Sequence, residues 1–178
     1  MTFTTEIISV RLKQPFTTAR DRTVESQSAI IRIEHDGVVG IGEAKMTADS
    51  CGGVAEPVAD YGDRARAILG NDPFQLERIL DELERVLPDC CIKLMKCGGL
   101  REALRMIHVA RALGMQVMLG CMVETSLSLT AAAHLLPLAD YSDLDSAFLL
   151  ERDPFAGFTV RNGTNVLPDG PGLGVTER

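Results

Sequence analysis

From Asp89 onward the chain alternates short apolar runs with helix-length amphipathic segments, and this alternation constrains the fold more than any other feature. Cys91-Ile92-Lys93-Leu94-Met95 reads as a strand and Gly98-Gly99 as the turn after it. Leu100 to Leu113 reads as a helix, with Leu100, Ala103, Leu104, Ile107 and Ala110 on one face and Gly114 as its stop. Met115 to Leu119 is the next strand, a helix follows near 126–136, and a third strand at about 141–144. A β-α-β-α-β order implies a parallel sheet joined by right-handed crossovers. Ligand sites of such sheets lie at the carboxyl ends of the strands.

The first ~45 residues have a different pattern, that of a β-meander. Ile8, Val10 and Leu12 alternate on one strand, and Ala29, Ile31 and Ile33 on the next, over 28–34. Asp36-Gly37 is a tight-turn signal, and Val38 to Glu43 return as a third strand. The polar loop Thr17–Thr23 is longer than a hairpin needs, which favours a functional role. Two helices follow Gly52-Gly53. One lies near 55–69, and the other starts at the N-cap Asp72 with Pro73 at its first position and ends at Pro88. The tail from Asp153 is irregular, with two short β segments.

With 178 residues, 46% of them hydrophobic, the chain can build one packed domain or two small ones. The net charge of −7 argues against a nucleic-acid partner. No apolar run reaches the ~20 residues that span a bilayer, and the N-terminus lacks a signal-peptide pattern, so no membrane partner and a cytoplasmic location are expected. Five cysteines, an odd number with no C-x-x-C pair, suit reduced thiols better than disulfides or zinc.

Several side chains could carry chemistry. Lys93 sits mid-strand, where burial would lower a lysine's pKa and make it a base; a strand-end lysine reaching water is the plainer alternative. Lys96 follows in the turn and reads as surface charge. Asp143 and Asp145 share a face two residue rises apart, roughly 6–7 Å, a spacing that suits gripping a cation such as a substrate ammonium or a metal; a solvated pair of acids is the plainer alternative. Glu124 lies on the same rim as a candidate accessory acid, or as a solvated loop carboxylate. Arg20 and Arg22 in the polar loop could clamp a carboxylate, or are plain surface charge. No metal-ligand spacing recommends His35, His108 or His134.

Three segments in this order resemble the barrel domain of the enolase superfamily: Ile92–Gly99, Gly120-Cys121-Met122-Val123-Glu124-Thr125 and Asp143-Leu144-Asp145. They are most similar to its muconate-lactonizing subgroup and, within that, to dipeptide epimerases of the L-Ala-D/L-Glu type. Gly40-Ile41-Gly42-Glu43-Ala44, the Pro15-Phe16 entry to the mobile loop and Pro171–Val175 match as well.

The resemblance implies an α+β capping domain over 1–88 and a partial α/β, TIM-type barrel segment of about three parallel strands over 89–152. A tail over 153–178 would return to the capping domain. It implies Mg2+ as cofactor, a small dipeptide as substrate, and proton abstraction alpha to a carboxylate by two opposed lysines. Lys93 would be one of them. Cys121, Met122 and Val123 would line the substrate, Asp143 and Asp145 would hold its ammonium, and Arg20 or Arg22 its distal carboxylate.

A complete barrel takes about 250 residues. The pattern here passes from cap helix to late barrel strand across Pro88-Asp89. The K-x-K motif of the partner base is missing, since the four lysines are Lys13, Lys45, Lys93 and Lys96. The metal-ligating carboxylates of the early strands are missing too, so no metal ligand is assigned. The 178 residues alone are expected to be nearly inactive. A non-catalytic dipeptide-binding module, or a fragment that completes its sheet as a homo-oligomer, are the alternatives.

Overall fold

The structure, a computed structural model, describes residues 1–17, 22–45, 66–70, 72, 74, 75 and 94–178. The chain divides into two compact units, Met1–Ile8 with Ser28–Cys90 and Ser9–Gln27 with Cys91–Arg178. Arg20, Cys91, Lys93 and the Pro88-Asp89 junction lie outside the described residues, as does most of the helical stretch between the meander and Leu94.

Three long strands, β1 (Thr2–Thr17), β2 (Arg22–His35) and β3 (Val38–Lys45), form one sheet in that order. In the first unit β2 and β3 pair antiparallel from Ser28↔Lys45 to His35↔Val38. This register leaves only Asp36 and Gly37 between the strands. Both have positive φ, 51° and 77°, the twist that a two-residue hairpin joining right-twisted strands requires. Glu6 pairs with Arg32 at 3.1 Å across β1 and β2. Residues 66–69 are helical, and the Asp72 carboxylate accepts from the Phe74 N–H at 2.9 Å, as an N-cap would.

The second unit begins with a correction. Leu94 and Met95 are not strand; 94–98 is a turn, closed by the Gly99 N–H donating to the Leu94 carbonyl at 3.2 Å. Helix α1 (Leu100–Ala112) follows, burying Ala103 and Ile107. It ends as its sequence implies. Gly114, at φ 71°, donates to Arg111 and Met115 donates to Ala110, which satisfies two end carbonyls.

Strand β4 is shorter than expected, Met118–Gly120. The Tyr141 N–H donating to the Val117 carbonyl opens its ladder, and Asp140 takes the rest of Val117: its carboxylate accepts the Val117 N–H at 2.7 Å and its own N–H shares the Val117 carbonyl. Arg111 holds the same carboxylate at 2.7 Å.

Helix α2 (Ser126–Ala133) also stops early, giving way to a 3-10 turn over Leu136–Leu138 that contains Pro137. Strand β5 (Tyr141–Asp143) then pairs parallel with β4 in the register Met118↔Tyr141, Leu119↔Ser142, Gly120↔Asp143. Two parallel strands are thus seen among the described residues, and Cys91, Ile92 and Lys93 of the expected first one lie outside them.

Behind the pair lies a core of Leu129, Ala132, Ala133, Leu144 and Phe158. The tail adds β6 (Phe155–Ala156) with β9 (Thr176–Glu177), and the hairpin β7 (Thr159–Arg161) with β8 (Thr164–Val166). The tail belongs to the second unit, where Phe158 N–H donates to Thr130 of α2 at 2.8 Å.

Candidate functional site

The carboxyl ends of β4 and β5 carry the candidate residues. Because Gly120 stands opposite Asp143, the loop Cys121–Val123 and the pair Asp143/Asp145 leave the sheet at one end. Asp143 at the end of β5 and Asp145 just beyond it are both exposed, while Leu144 between them is buried in the core. Two adjacent carboxylates on an open rim can bind a cation such as an ammonium group.

Cys121, Met122 and Val123 are half-buried. The Cys121 thiol approaches Asp145 Oδ1 at 3.9 Å. Burial pushes this thiol above its ordinary range, against the lowering effect of contacts with Ser146 and Asp145; the Glu124 charge adds to the rise.

Glu124 is no solvated loop carboxylate: it is 1% exposed. One oxygen accepts the Met122 N–H at 2.6 Å and the other accepts the Ser128 hydroxyl. Its own N–H donates to Ser146 Oγ at 3.3 Å. The start of α2 is closed by this chain's own acceptors. Thr125 caps Leu127 N–H, and Asp153 accepts both the N–H and the hydroxyl of Ser126, at 2.9 and 2.6 Å.

The later part of β1 and the first part of β2 belong to the same unit as this rim and bond to its segments. Ser26, 2% exposed, donates its hydroxyl to the Val123 carbonyl at 2.9 Å. On β1, Leu12 bridges to Leu150, the Arg11 carbonyl accepts the Glu151 N–H, and Lys13 Nζ donates to the Phe148 carbonyl at 2.8 Å.

The structure therefore brings together Cys121, Met122, Val123, Glu124, Asp143 and Asp145. It places Arg22 at the exposed start of β2 within the same unit. Lys96 lies half-buried in the turn before α1; His108 is exposed on α1, His134 caps α2, and His35 closes β2 in the first unit. Sequence reasoning missed Ser26, Ser146 and Asp153. The spacing around Ser126 held the only usable signal, a helix start whose polar cap needs an acceptor from elsewhere. Among the described residues, no three His, Cys, Asp or Glu side chains come together as a metal site.

Comparison with known proteins agrees with this architecture. Residues 82–178 match the enolase C-terminal domain-like family, and residues 2–118 the mandelate racemase/muconate lactonizing enzyme N-terminal domain. The chain belongs to the mandelate racemase/muconate lactonizing enzyme family of the enolase type.

Among its relatives, an L-Ala-D/L-Glu epimerase of Bacteroides thetaiotaomicron is 52% identical over 84 residues, 47% of this chain and 22% of that protein. A hydrophobic dipeptide epimerase of Roseobacter litoralis is 40% identical over 114 residues, 64% of this chain and 33% of that protein. The match thus spans a third or less of these curated relatives. The solved L-Ala-D/L-Glu epimerase from Bacillus subtilis aligns with a TM-score of 0.74 at 18% identity, covering 99% of this chain and 98% of that one. A dipeptide epimerase from Enterococcus faecalis aligns at 0.81 and 16% identity, covering 98% and 99%. At these identities the likeness is one of fold.

Proposed function

We propose that this chain is part of a dipeptide epimerase and carries the wall of the site that grips the substrate. The observation that supports this most is the parallel register of β4 and β5, which sends the Cys121–Val123 loop and the Asp143/Asp145 pair off one sheet end. Asp143 and Asp145 hold the dipeptide ammonium, Cys121, Met122 and Val123 line its body, and Arg20 or Arg22 pairs with a distal carboxylate.

Lys93 takes the α-proton: the Cα–H bond breaks, the proton moves to Nζ, and the electron pair stays with the carboxylate-bearing carbon. Returned from the same side, the proton restores the original configuration. Inversion needs a second base on the opposite face, and no two lysines here are separated by a single residue.

A Methylococcus capsulatus dipeptide epimerase has been solved with Mg and L-Arg-D-Lys, and magnesium is the metal that the family relationship suggests. The described residues do not form a group that fits it, so no step is drawn through a metal.

Calorimetry with L-Ala-L-Glu, with and without magnesium, tests the gripping wall. Binding is expected for the free dipeptide, and loss of binding for its N-acetylated form and for Asp143→Asn with Asp145→Asn. Absence of heat in every condition refutes the wall. Proton NMR in D2O tests the chemistry: the D-configured product is not expected, and its appearance at enzymatic rates overturns the one-sided mechanism.

A second reading is association of copies that completes the sheet. It is favoured by Met118 and Tyr141, cross-strand neighbours exposed by 63% and 54%. A folded monomer in sedimentation at micromolar concentration removes it.

A further inference from the structure

We propose that Ser26 is a positioning residue that ties the first part of β2 to the Cys121–Val123 loop, so that the two present one preformed surface to a ligand. The observations come from both ends of the bond. Ser26 is buried on β2, 97 residues away in sequence from the Val123 carbonyl it donates to at 2.9 Å. A buried hydroxyl bonded to a backbone carbonyl over that separation holds two segments that otherwise have no covalent reason to stay together.

The loop it grips is fixed by two further anchors: the Glu124 carboxylate on Met122 N–H, and Ser146 Oγ on the Glu124 backbone. Ser146 directly follows Asp145, and β1 is tied to Phe148–Glu151 just beyond. Strands β1 and β2 are thus bonded to the segments that follow both β4 and β5, the two that carry the candidate rim. Arg22, Val24 and Ser26 alternate onto one face of β2, so the Ser26 anchor also sets the direction from which Arg22 projects. A rim held this way meets a ligand with less ordering left to do, which raises affinity.

The positioning role rests on the proposed reading of the rim as a dipeptide site, but the tie itself can be measured without it. Cys121 reports whether the loop opens. Its thiol is half-buried on that loop, and trypsin releases it as the only cysteine of residues 112–152. Cys97 is released separately in 97–101 and serves as the internal reference. The full chain and its Ser26→Ala and Ser26→Thr variants are alkylated with iodoacetamide under native conditions, and the Cys121 to Cys97 rate ratio is read by peptide mass spectrometry. Ser26→Ala is expected to raise the ratio about fivefold, the factor that loss of one ordinary hydrogen bond gives, and Ser26→Thr, which keeps the donor, to return it toward the parent value.

An unchanged ratio in Ser26→Ala overturns the tie. So does a rise in Ser26→Thr as large as in Ser26→Ala, because the donor would then be irrelevant. A Ser26→Ala chain that loses its circular dichroism is replaced by Ser26→Gly and Ser26→Cys, judged by the same ratio. Calorimetry with L-Ala-L-Glu completes the test. Binding weakened in Ser26→Ala and restored in Ser26→Thr supports the positioning role, and equal binding in all three chains overturns it. If the parent binds no dipeptide, the proposed function of the rim fails, whereas the tie stands or falls on the alkylation ratio alone.

Discussion

Replacing Glu124 separates a carboxylate that shapes the rim from one that donates or takes a proton there. The side chain is 1% exposed, and its two oxygens accept from Met122 N–H and the Ser128 hydroxyl. A hydrogen bond to a charged group contributes about 1.5–3 kcal/mol, and burial here removes the solvent screening that would reduce it. Glu124→Ala deletes both acceptors and leaves space beside a buried N–H and hydroxyl, so it is expected to cost about 3–5 kcal/mol. That is a large share of the roughly 5–15 kcal/mol that holds a domain folded. Glu124→Gln keeps an acceptor for Met122, and the Ser128 hydroxyl can rotate to accept from the new amide, so its cost is expected near 1 kcal/mol. Urea unfolding followed by circular dichroism measures both, through the midpoint at constant slope. A loss below about 1 kcal/mol for Glu124→Ala would refute the network. A Glu124→Gln variant as unstable as Glu124→Ala would show that negative charge, not hydrogen-bond geometry, is what the site requires.

Other perturbations test the rest of the framework. Leu129 is fully buried at the centre of the β4–β5 core, and Leu129→Ala is expected to destabilise by about 2–5 kcal/mol in the same urea assay. Gly114 holds φ 71° with open space where a Cβ would sit, so Gly114→Ala carries only the backbone cost, about 1–2 kcal/mol; a neutral result would mean that α1 does not end in this left-handed turn. The Val117 N–H, and after it Arg111, hold the Asp140 carboxyl below its ordinary value of 3.8. A depressed folded-state value means that the contribution is full above 3.8 and fades as pH falls through the folded value. The stability gap between the parent and Asp140→Asn should therefore narrow below pH 3.8, and a gap that widens on acidification contradicts the assignment.

The elements that could be read from sequence were those whose signal is local. Asp36-Gly37 fixes a hairpin by its own backbone preference, and Gly114 ends α1 by its own freedom to adopt positive φ. The parallel pairing of β4 with β5 followed from a strand-helix-strand order, which leaves few topologies. Strand lengths were not legible, because they are set by distant partners. Asp140 takes the Val117 N–H where β4 begins, and no feature of Met115–Val117 announces it. The same holds at the rim. Asp143 and Asp145 could be selected by their spacing, but the burial of Glu124 could not, because it depends on Ser128 and on the fold of the preceding loop. Ser26 lay outside the strand expected over 28–34 and carried no signal until the fold placed it on β2 beside Val123.

Gripping a substrate and inverting it make different demands on the chain. The proposed gripping surface is built by segments that each hold one another: Glu124 sets Met122, Ser26 sets Val123, Ser146 joins the loop to the Asp145 segment, and Asp153 closes the start of α2. Every one of those bonds lies within the second compact unit. Inversion, by contrast, needs two bases on opposite sides of one carbon. Of the four lysines, Lys13 is bonded to the Phe148 carbonyl, Lys45 ends β3 in the other sequence half, and Lys93 and Lys96 are three residues apart. Lysines at i and i+2 of a strand share a face, but at i and i+3 they point apart, so Lys96 does not join Lys93 on one face of an extended strand; Lys96 itself lies in the 94–98 turn. On the proposed function, then, affinity for a dipeptide should survive in this chain where stereochemical inversion does not.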